Sequence, residues 1–237
     1  MFPLKALPES IGELIHLHYL DLSFTPIQRL CESLCNLYNL QTLKLKHCEY
    51  LQMLPEQMQD LVKLRYLDID GTYSLKEMCK GMGKLNNLNF LSHYIVGEQD
   101  ENGIRELATL ENPHGSFCIS NLENVKNSGE ALQAKIGDKK HIDSLVLQWD
   151  LDDGSVDVQT SRDILDKLQP HGELKELSIV RYMGEKFSDW LGFSSYHSMT
   201  KLELRYCNNC SELPCLGQLP SLKHLNLFNL DGLERIG

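Results

Sequence analysis

Leu37-x-x-Leu40-x-x-Leu43-x-Leu45-x-x-Cys48-x-x-Leu51-x-x-Leu54-Pro55 is followed directly by Leu61-x-x-Leu64-x-x-Leu67-x-Ile69-x-x-Thr72-x-x-Leu75. An aliphatic framework that returns after 24 residues is short enough for one strand and one return segment. Stacking such units buries a continuous apolar ridge that no single unit could bury alone. In the Leu-x-Leu centre, alternation turns Leu43 and Leu45 inward and Thr42, Lys44 and Lys46 outward. Cys48 and Thr72 fall where the chain turns away from the strand, a place that needs a small side chain to meet backbone groups. Leu51 and Leu54 close the core from the far side, and Pro55 imposes an extended return in place of a long helix.

Outward from that stretch, strand leucines fall at Leu20, Leu43, Leu67 and Leu91, spaced 23, 24 and 24 residues apart. The expected fold is therefore an α/β leucine-rich-repeat solenoid, a curved parallel sheet of about nine short strands with irregular and helical returns. Three regions are expected along one continuous solenoid: regular repeats over 1–94, irregular repeats with helical insertions over 95–172, and regular repeats again over 173–237. The middle carries a helix over 102–110 behind an Asn102 cap, a strand at Phe117-Cys118-Ile119 and an amphipathic segment over 131–136. A strand over 141–149 follows, then a helix capped by Ser161 with Ile164, Leu165 and Leu168 on one face. The chain opens in mid-repeat at Leu4-x-x-Leu7-Pro8 and stops at Gly237 without a polar capping repeat, so a solenoid truncated at both ends is expected.

The 237 residues carry a net charge of −10, which opposes a nucleic-acid footprint of clustered Lys and Arg. No apolar run approaches the roughly 18 residues of a membrane span. Several of the eight cysteines are accounted for as repeat positions (Cys48, Cys207) or as strand and loop positions (Cys31, Cys79, Cys118), so reduced thiols in a cytoplasmic protein are expected. Cys207-x-x-Cys210 with Cys215 has zinc-like spacing, but Cys207 is a turn residue and no second Cys or His pair completes a set. The acidic loop with Asp150, Asp152, Asp153 and Asp157 fails the calcium-loop pattern, with Trp149, Leu151 and Thr160 at ligand positions. Gly81-Met82-Gly83-Lys84 is followed by Leu85 where a phosphate loop needs Ser or Thr. With no motif-supported catalytic set, neither enzymatic activity nor a cofactor or metal is expected.

The functional expectation falls on the outward strand positions: Tyr19, Asp21; Thr42, Lys44, Lys46; Tyr66, Asp68, Asp70; Phe90; Glu176; Lys201, Glu203, Arg205; and His224, Asn226, Phe228. Side by side these make a concave face carrying aromatics and both signs of charge, a composition suited to binding protein.

Leu7-Pro8-Glu9-Ser10-Ile11-Gly12-x-Leu14-x-x-Leu17-x-Tyr19-Leu20-Asp21-Leu22-Ser23 resembles the early repeats of plant intracellular nucleotide-binding leucine-rich-repeat disease resistance proteins of the coiled-coil class. Tyr94-Ile95-Val96-Gly97, Gly115-Ser116-Phe117-Cys118-Ile119-Ser120-Asn121-Leu122-Glu123-Asn124-Val125 and Lys139-Lys140-His141-Ile142-x-x-Leu145-x-Leu147-x-Trp149 resemble a region particular to that group. So do Leu168-Gln169-Pro170-His171-x-x-Leu174-Lys175-x-Leu177 and Leu213-Pro214-x-Leu216-Gly217-Gln218-Leu219-Pro220-Ser221-Leu222-Lys223. The resemblance implies a recognition region acting in defense response. It would bind a pathogen effector or a guarded host protein, and restrain an upstream nucleotide-binding domain of the same receptor. Two other readings stay open on the residues alone. One is a free-standing intracellular repeat scaffold of small-GTPase signalling, which the regular ends fit and the helical middle does not. The other is an extracellular ectodomain, which would need paired cysteines.

Overall fold

The computed structural model describes residues 4–110, 113–150 and 157–235. They form two compact units, Met1–His114 and Gly115–Gly237.

In the first unit, the strands Tyr19–Asp21 (β1), Thr42–Lys44 (β2), Tyr66–Asp68 (β3) and Phe90–Leu91 (β4) form one parallel sheet in chain order. Register follows the sequence period without slippage: Leu20, Leu43, Leu67 and Leu91 lie side by side, as do Tyr19, Thr42, Tyr66 and Phe90. A further short strand, His93–Ile95 (β5), comes next. Leu43, Leu45, Leu67 and Ile69 are wholly buried, which is what the Leu-x-Leu alternation requires.

Four of the returns carry a single tight helical turn of 3-10 type. These turns span Glu9–Glu13, Glu32–Asn36, Met58–Asp60 and Met82–Lys84. Each ends on a framework leucine, Leu14, Leu37, Leu61 or Leu85, whose N–H closes the turn onto a carbonyl three residues back. The turn residues act as expected from their size. Thr72 donates its hydroxyl to the Ile69 carbonyl at 2.7 Å, and the Cys48 thiol donates to the Leu22 carbonyl of the preceding repeat at 3.1 Å.

The expected helix over 102–110 is instead two 3-10 turns, Asp100–Asn102 and Ile104–Thr109. Asn102 is a buried hub rather than a terminal cap of a long helix. Its amide donates to the Met78 carbonyl and the Glu77 carboxylate, and its backbone carbonyl accepts from the Tyr94 hydroxyl and the Gly97 N–H. Position 97 must be glycine in this arrangement, because a Cβ there would stand 2.1 Å from the Asn102 amide oxygen. The Tyr94-to-Gly97 motif is thus one packed device, with the Tyr94 ring fully buried and its hydroxyl pKa pushed far up by that burial.

The second unit holds Gly115–Ser120 (β6), Ile142–Gln148 (β7), Glu176–Val180 (β8), Lys201–Arg205 (β9) and His224–Phe228 (β10), each parallel to the next. Its returns include two α-helices, Ser128–Gln133 (α1) and Val158–Lys167 (α2). The cap of α2 is Asp157, not Ser161: the Asp157 carboxylate accepts from the Thr160 N–H at 2.8 Å and its hydroxyl at 2.7 Å. Those two bonds hold the Asp157 carboxyl below its ordinary range. Ser161 lies one turn inside and is buried on the same helix as Ile164 and Leu165. Trp149, fully buried, meets the Tyr182 ring edge-on at 5.2 Å, and Trp190 donates to the Leu165 carbonyl at 3.0 Å. In β10 the framework side chains Leu225 and Leu227 are 43% and 38% exposed.

Candidate recognition surface

On the sheet of the first unit, the outward residues stand in rows set by the strand register. Tyr19, Thr42, Tyr66 and Phe90 make one row, and Asp21, Lys44 and Asp68 the next. Tyr66 and Phe90 stack face to face, centroids 4.2 Å apart and planes 6° from parallel. Thr42 is small, and its size leaves a gap between Tyr19 and Tyr66. The Lys44 ammonium fills that gap, 5.5 Å from one ring centroid and 5.6 Å from the other, a double cation–π contact. The Tyr19 hydroxyl beside it raises the Lys44 pKa. One row further, Lys46 and Asp70 form an ion pair at 3.2 Å between half-exposed side chains.

Asp68 corrects the expectation of an open row. It occupies the outward position and yet is only 8% exposed, with its carboxylate accepting the Asp70 N–H at 3.1 Å. It is a turn-bracing residue under its neighbours rather than a contact residue.

On the second sheet, Glu176, Lys201 and His224 share a row, then Ser178, Glu203 and Asn226, then Val180, Arg205 and Phe228. Glu203 is the electrostatic centre. Its side chain is 15% exposed, with Lys201 at 3.3 Å and Arg205 Nε at 2.7 Å, the latter an ion pair without hydrogen-bond alignment. Asn226 donates to Glu203 Oε2, the oxygen that also faces Lys201, at 3.5 Å. Glu176 accepts from the Ser144 hydroxyl at 3.5 Å. A depression of about 120 Å³ opens between these groups, floored by the Ser178 hydroxyl, which has no hydrogen-bond partner. Val180 is buried, while Phe228 is 51% exposed and meets Tyr206 edge-on at 5.3 Å.

Sequence reasoning missed one recurring position. The residue four beyond the inward strand residue is left-handed in most repeats, Phe24, His47 and Gly71 in the first unit and Asn121, Arg181, Tyr206 and Asn229 in the second, with Ile95 and Trp149 as exceptions. Gly71 and the two asparagines suit that backbone, and the bulky members disguise it.

The other candidates resolve geometrically. The Cys207 thiol turns to the carbonyls of Ile179 and Arg205, and that of Cys210 to the carbonyl of Gly184. Among the described residues no group of three or more His, Cys, Asp and Glu is arranged to hold a metal ion. Asp150 pairs with Arg181 at 3.1 Å, while Asp152 and Asp153 lie outside the described residues. Gly81, with φ +73°, simply starts a 3-10 turn. No helix among the described residues is long and apolar enough to cross a membrane.

Parallel strands joined by short 3-10 and α-helical returns, with an inward aliphatic ladder, define a leucine-rich-repeat protein of the α/β class. The profile of the family described as R13L1/DRL21 LRRs matches residues 104–230, and a leucine rich repeat profile matches 15–73. The chain belongs to this family. It is 37% identical over 237 residues to RPP13-like protein 1 of Arabidopsis thaliana, covering 97% of this chain and 22% of that protein. It is 36% identical over 221 residues to disease resistance protein RGA2 of Solanum bulbocastanum, covering 93% and 23%. The chain thus spans under a quarter of the length of these relatives.

Among solved structures, the leucine-rich repeat domain of the type III effector XopL aligns over 95% of this chain and 73% of its own. Its TM-score is 0.58 at 19% identity. An internalin (inlF) from Listeria monocytogenes gives 0.52 at 11% identity, over 98% and 76%. These two concern the fold alone.

Proposed function

We propose that this chain is the recognition region of an intracellular plant immune receptor, with no catalysis of its own. Its outward strand residues bind a pathogen effector or guarded host protein, and the region holds the receptor's nucleotide-binding domain at rest. The observation that carries this reading is the Tyr19–Lys44–Tyr66–Phe90 cluster: an exposed and a half-buried tyrosine gripping a cation, with Phe90 stacked behind, on a rigid sheet. Aromatic residues on a rigid support supply binding area at low entropic cost, and such anchors dominate protein interfaces. The Lys201–Glu203–Arg205 set would add selectivity for charge pattern on the second sheet. An effector shifts the switch only by its differential affinity for the active over the resting arrangement, so the same region must contact both partners.

The test is co-purification of this chain with the nucleotide-binding domain of its own receptor. Stable association is expected. Failure to associate, with the repeat region shown folded by circular dichroism, would overturn the restraint half of the proposal.

A further inference from the structure

Ser178 stands at the centre of the outward face of the second sheet. Val146 and Glu203 are its register partners on either side, and Glu176 and Val180 are its outward neighbours along β8. A side chain so small, ringed by longer ones, leaves a hole, the depression of about 120 Å³ between β7, β8 and β9. The first sheet meets the same problem at Thr42 and solves it from within, because Lys44 fills the gap. Here the two cations that could do so are drawn aside. Glu203 holds Lys201 at 3.3 Å and Arg205 at 2.7 Å, and the hole stays open.

What remains uncommitted around the hole defines what it can take. The Glu176 carboxylate accepts a long bond from the Ser144 hydroxyl at 3.5 Å, which leaves most of its accepting capacity free. Arg205 meets Glu203 as an ion pair without an aligned hydrogen bond, so its guanidinium keeps N–H groups to donate. The Ser178 hydroxyl, withdrawn from solvent beneath them, has no partner. Donors and acceptors therefore line the hole together, and its charged groups, Glu176 and Glu203 against Lys201 and Arg205, cancel.

That inventory excludes most occupants. A carboxylate would meet Arg205 but also lie against Glu176 and Glu203, while an ammonium or guanidinium would meet Glu176 but also lie against Lys201 and Arg205. An aliphatic group would seal in the Ser178 hydroxyl without a partner. An aromatic ring is too large, since a cavity of about 150 Å³ is what admits benzene. A neutral carboxamide carries both functions on one small plane, an NH2 to donate to Glu176 and a carbonyl to accept from Arg205.

We infer that this depression is a subsite for an asparagine or glutamine side chain projected by the bound protein, and that it sets specificity at that one position. The inference rests on the reading of the strand face as the partner surface, and adds which side chain that surface selects here. A main-chain amide has a single N–H and chain on both sides of it, so the small hole favours the side-chain form.

The test titrates the whole isotope-labelled 237-residue chain with small probes and follows amide chemical shifts. Acetamide stands for the side-chain amide, N-methylacetamide for the main chain, and acetate and methylguanidinium for charged side chains. Acetamide should shift the amides of Val146, Ser178 and Glu203 saturably with a Kd of about 10 mM, as so few atoms allow, and the other probes should bind at least about tenfold more weakly. Ser178→Val fills the hole and should lose at least about tenfold in acetamide affinity while its melting temperature holds. Should that variant melt early, Glu176→Gln decides alone. It removes an acceptor and its charge, so acetamide should weaken by about threefold or more while acetate binds more tightly than to the unaltered chain, a reversal that no loss of folding produces. The inference is overturned if acetamide leaves those amides unshifted, if any other probe binds equally well, if a folded Ser178→Val binds acetamide undiminished, or if Glu176→Gln leaves acetate as weak as before. These readings use the repeat region by itself, so they stand or fall apart from the receptor response, which tests the strand face as a whole.

Discussion

Leu204 and Leu227 occupy the same framework position in adjacent strands and are register partners, yet one is wholly buried and the other 38% exposed. Replacing each by alanine isolates what burial in the ladder is worth. The substitution removes three carbons, and at about 0.8 kcal/mol each a fully buried leucine loses about 2.4 kcal/mol of transfer free energy. At Leu204 the space left is enclosed on both sides by neighbouring repeats, and the cavity raises the cost to about 3 kcal/mol, within the range for core leucines. At Leu227 only part of that area is withdrawn from water, and the space opens to solvent, so about 1 kcal/mol is expected. Both tryptophans, Trp149 and Trp190, lie in the same unit as the two leucines, so their fluorescence in a urea titration reports the right cooperative unit. The midpoint of Leu204→Ala should fall by more than twice that of Leu227→Ala with the slope unchanged. Equal losses, or a greater loss at Leu227, would refute the idea that an inward aliphatic ladder carries the stability.

Other expectations concern single groups. Asp68→Ala should destabilise the first unit by about 1 to 2 kcal/mol, because a buried charge-assisted bond to the Asp70 N–H is lost; circular dichroism melts read this directly. His93 is held at a pKa of about 4 by burial, against an ordinary 6.5, with Asp70 only partly opposing the shift. The unfolded chain therefore takes up its proton first as pH falls. Stability should decline from pH 6.5 toward 4 by no more than about 3 kcal/mol, and His93→Gln should flatten that decline in denaturant titrations. Thiol reagents should reach exposed Cys215 first, while Cys207 and Cys210, buried and with thiol pKa values pushed up by that burial, should react only on unfolding.

The leucine period placed the strands because the period is the packing: one residue of slip would invert every side chain, so Leu20, Leu43, Leu67 and Leu91 could only align as they do. Turn chemistry at Cys48 and Thr72 was equally readable, since a small side chain beside a buried backbone has few other uses. Depth was not readable. Alternation states which way Asp68 points but not how far its neighbours cover it. Caps were misplaced where a polar residue had a tertiary partner: Asn102 is claimed by Met78, Glu77 and Gly97, and Ser161 yields its role to Asp157 one turn earlier. The Lys44 sandwich depends on the size of Thr42 between two tyrosines on different strands, which no reading of a single repeat contains. The left-handed turn position was hidden because Phe24, His47, Arg181 and Tyr206 are residues that normally argue against it.

The proposed reading has the open strand residues of this region, and not its returns, contact the partner, and a full-length receptor carrying this region decides it, by scoring effector-triggered cell death in leaf tissue at matched protein levels. Lys44→Glu puts a carboxylate between the Tyr19 and Tyr66 rings, and Val62→Glu places the same charge on an exposed return residue. Loss of the response with Lys44→Glu, and its retention with Val62→Glu, is the predicted result. A receptor that responds normally with Lys44→Glu and fails with Val62→Glu would contradict the account.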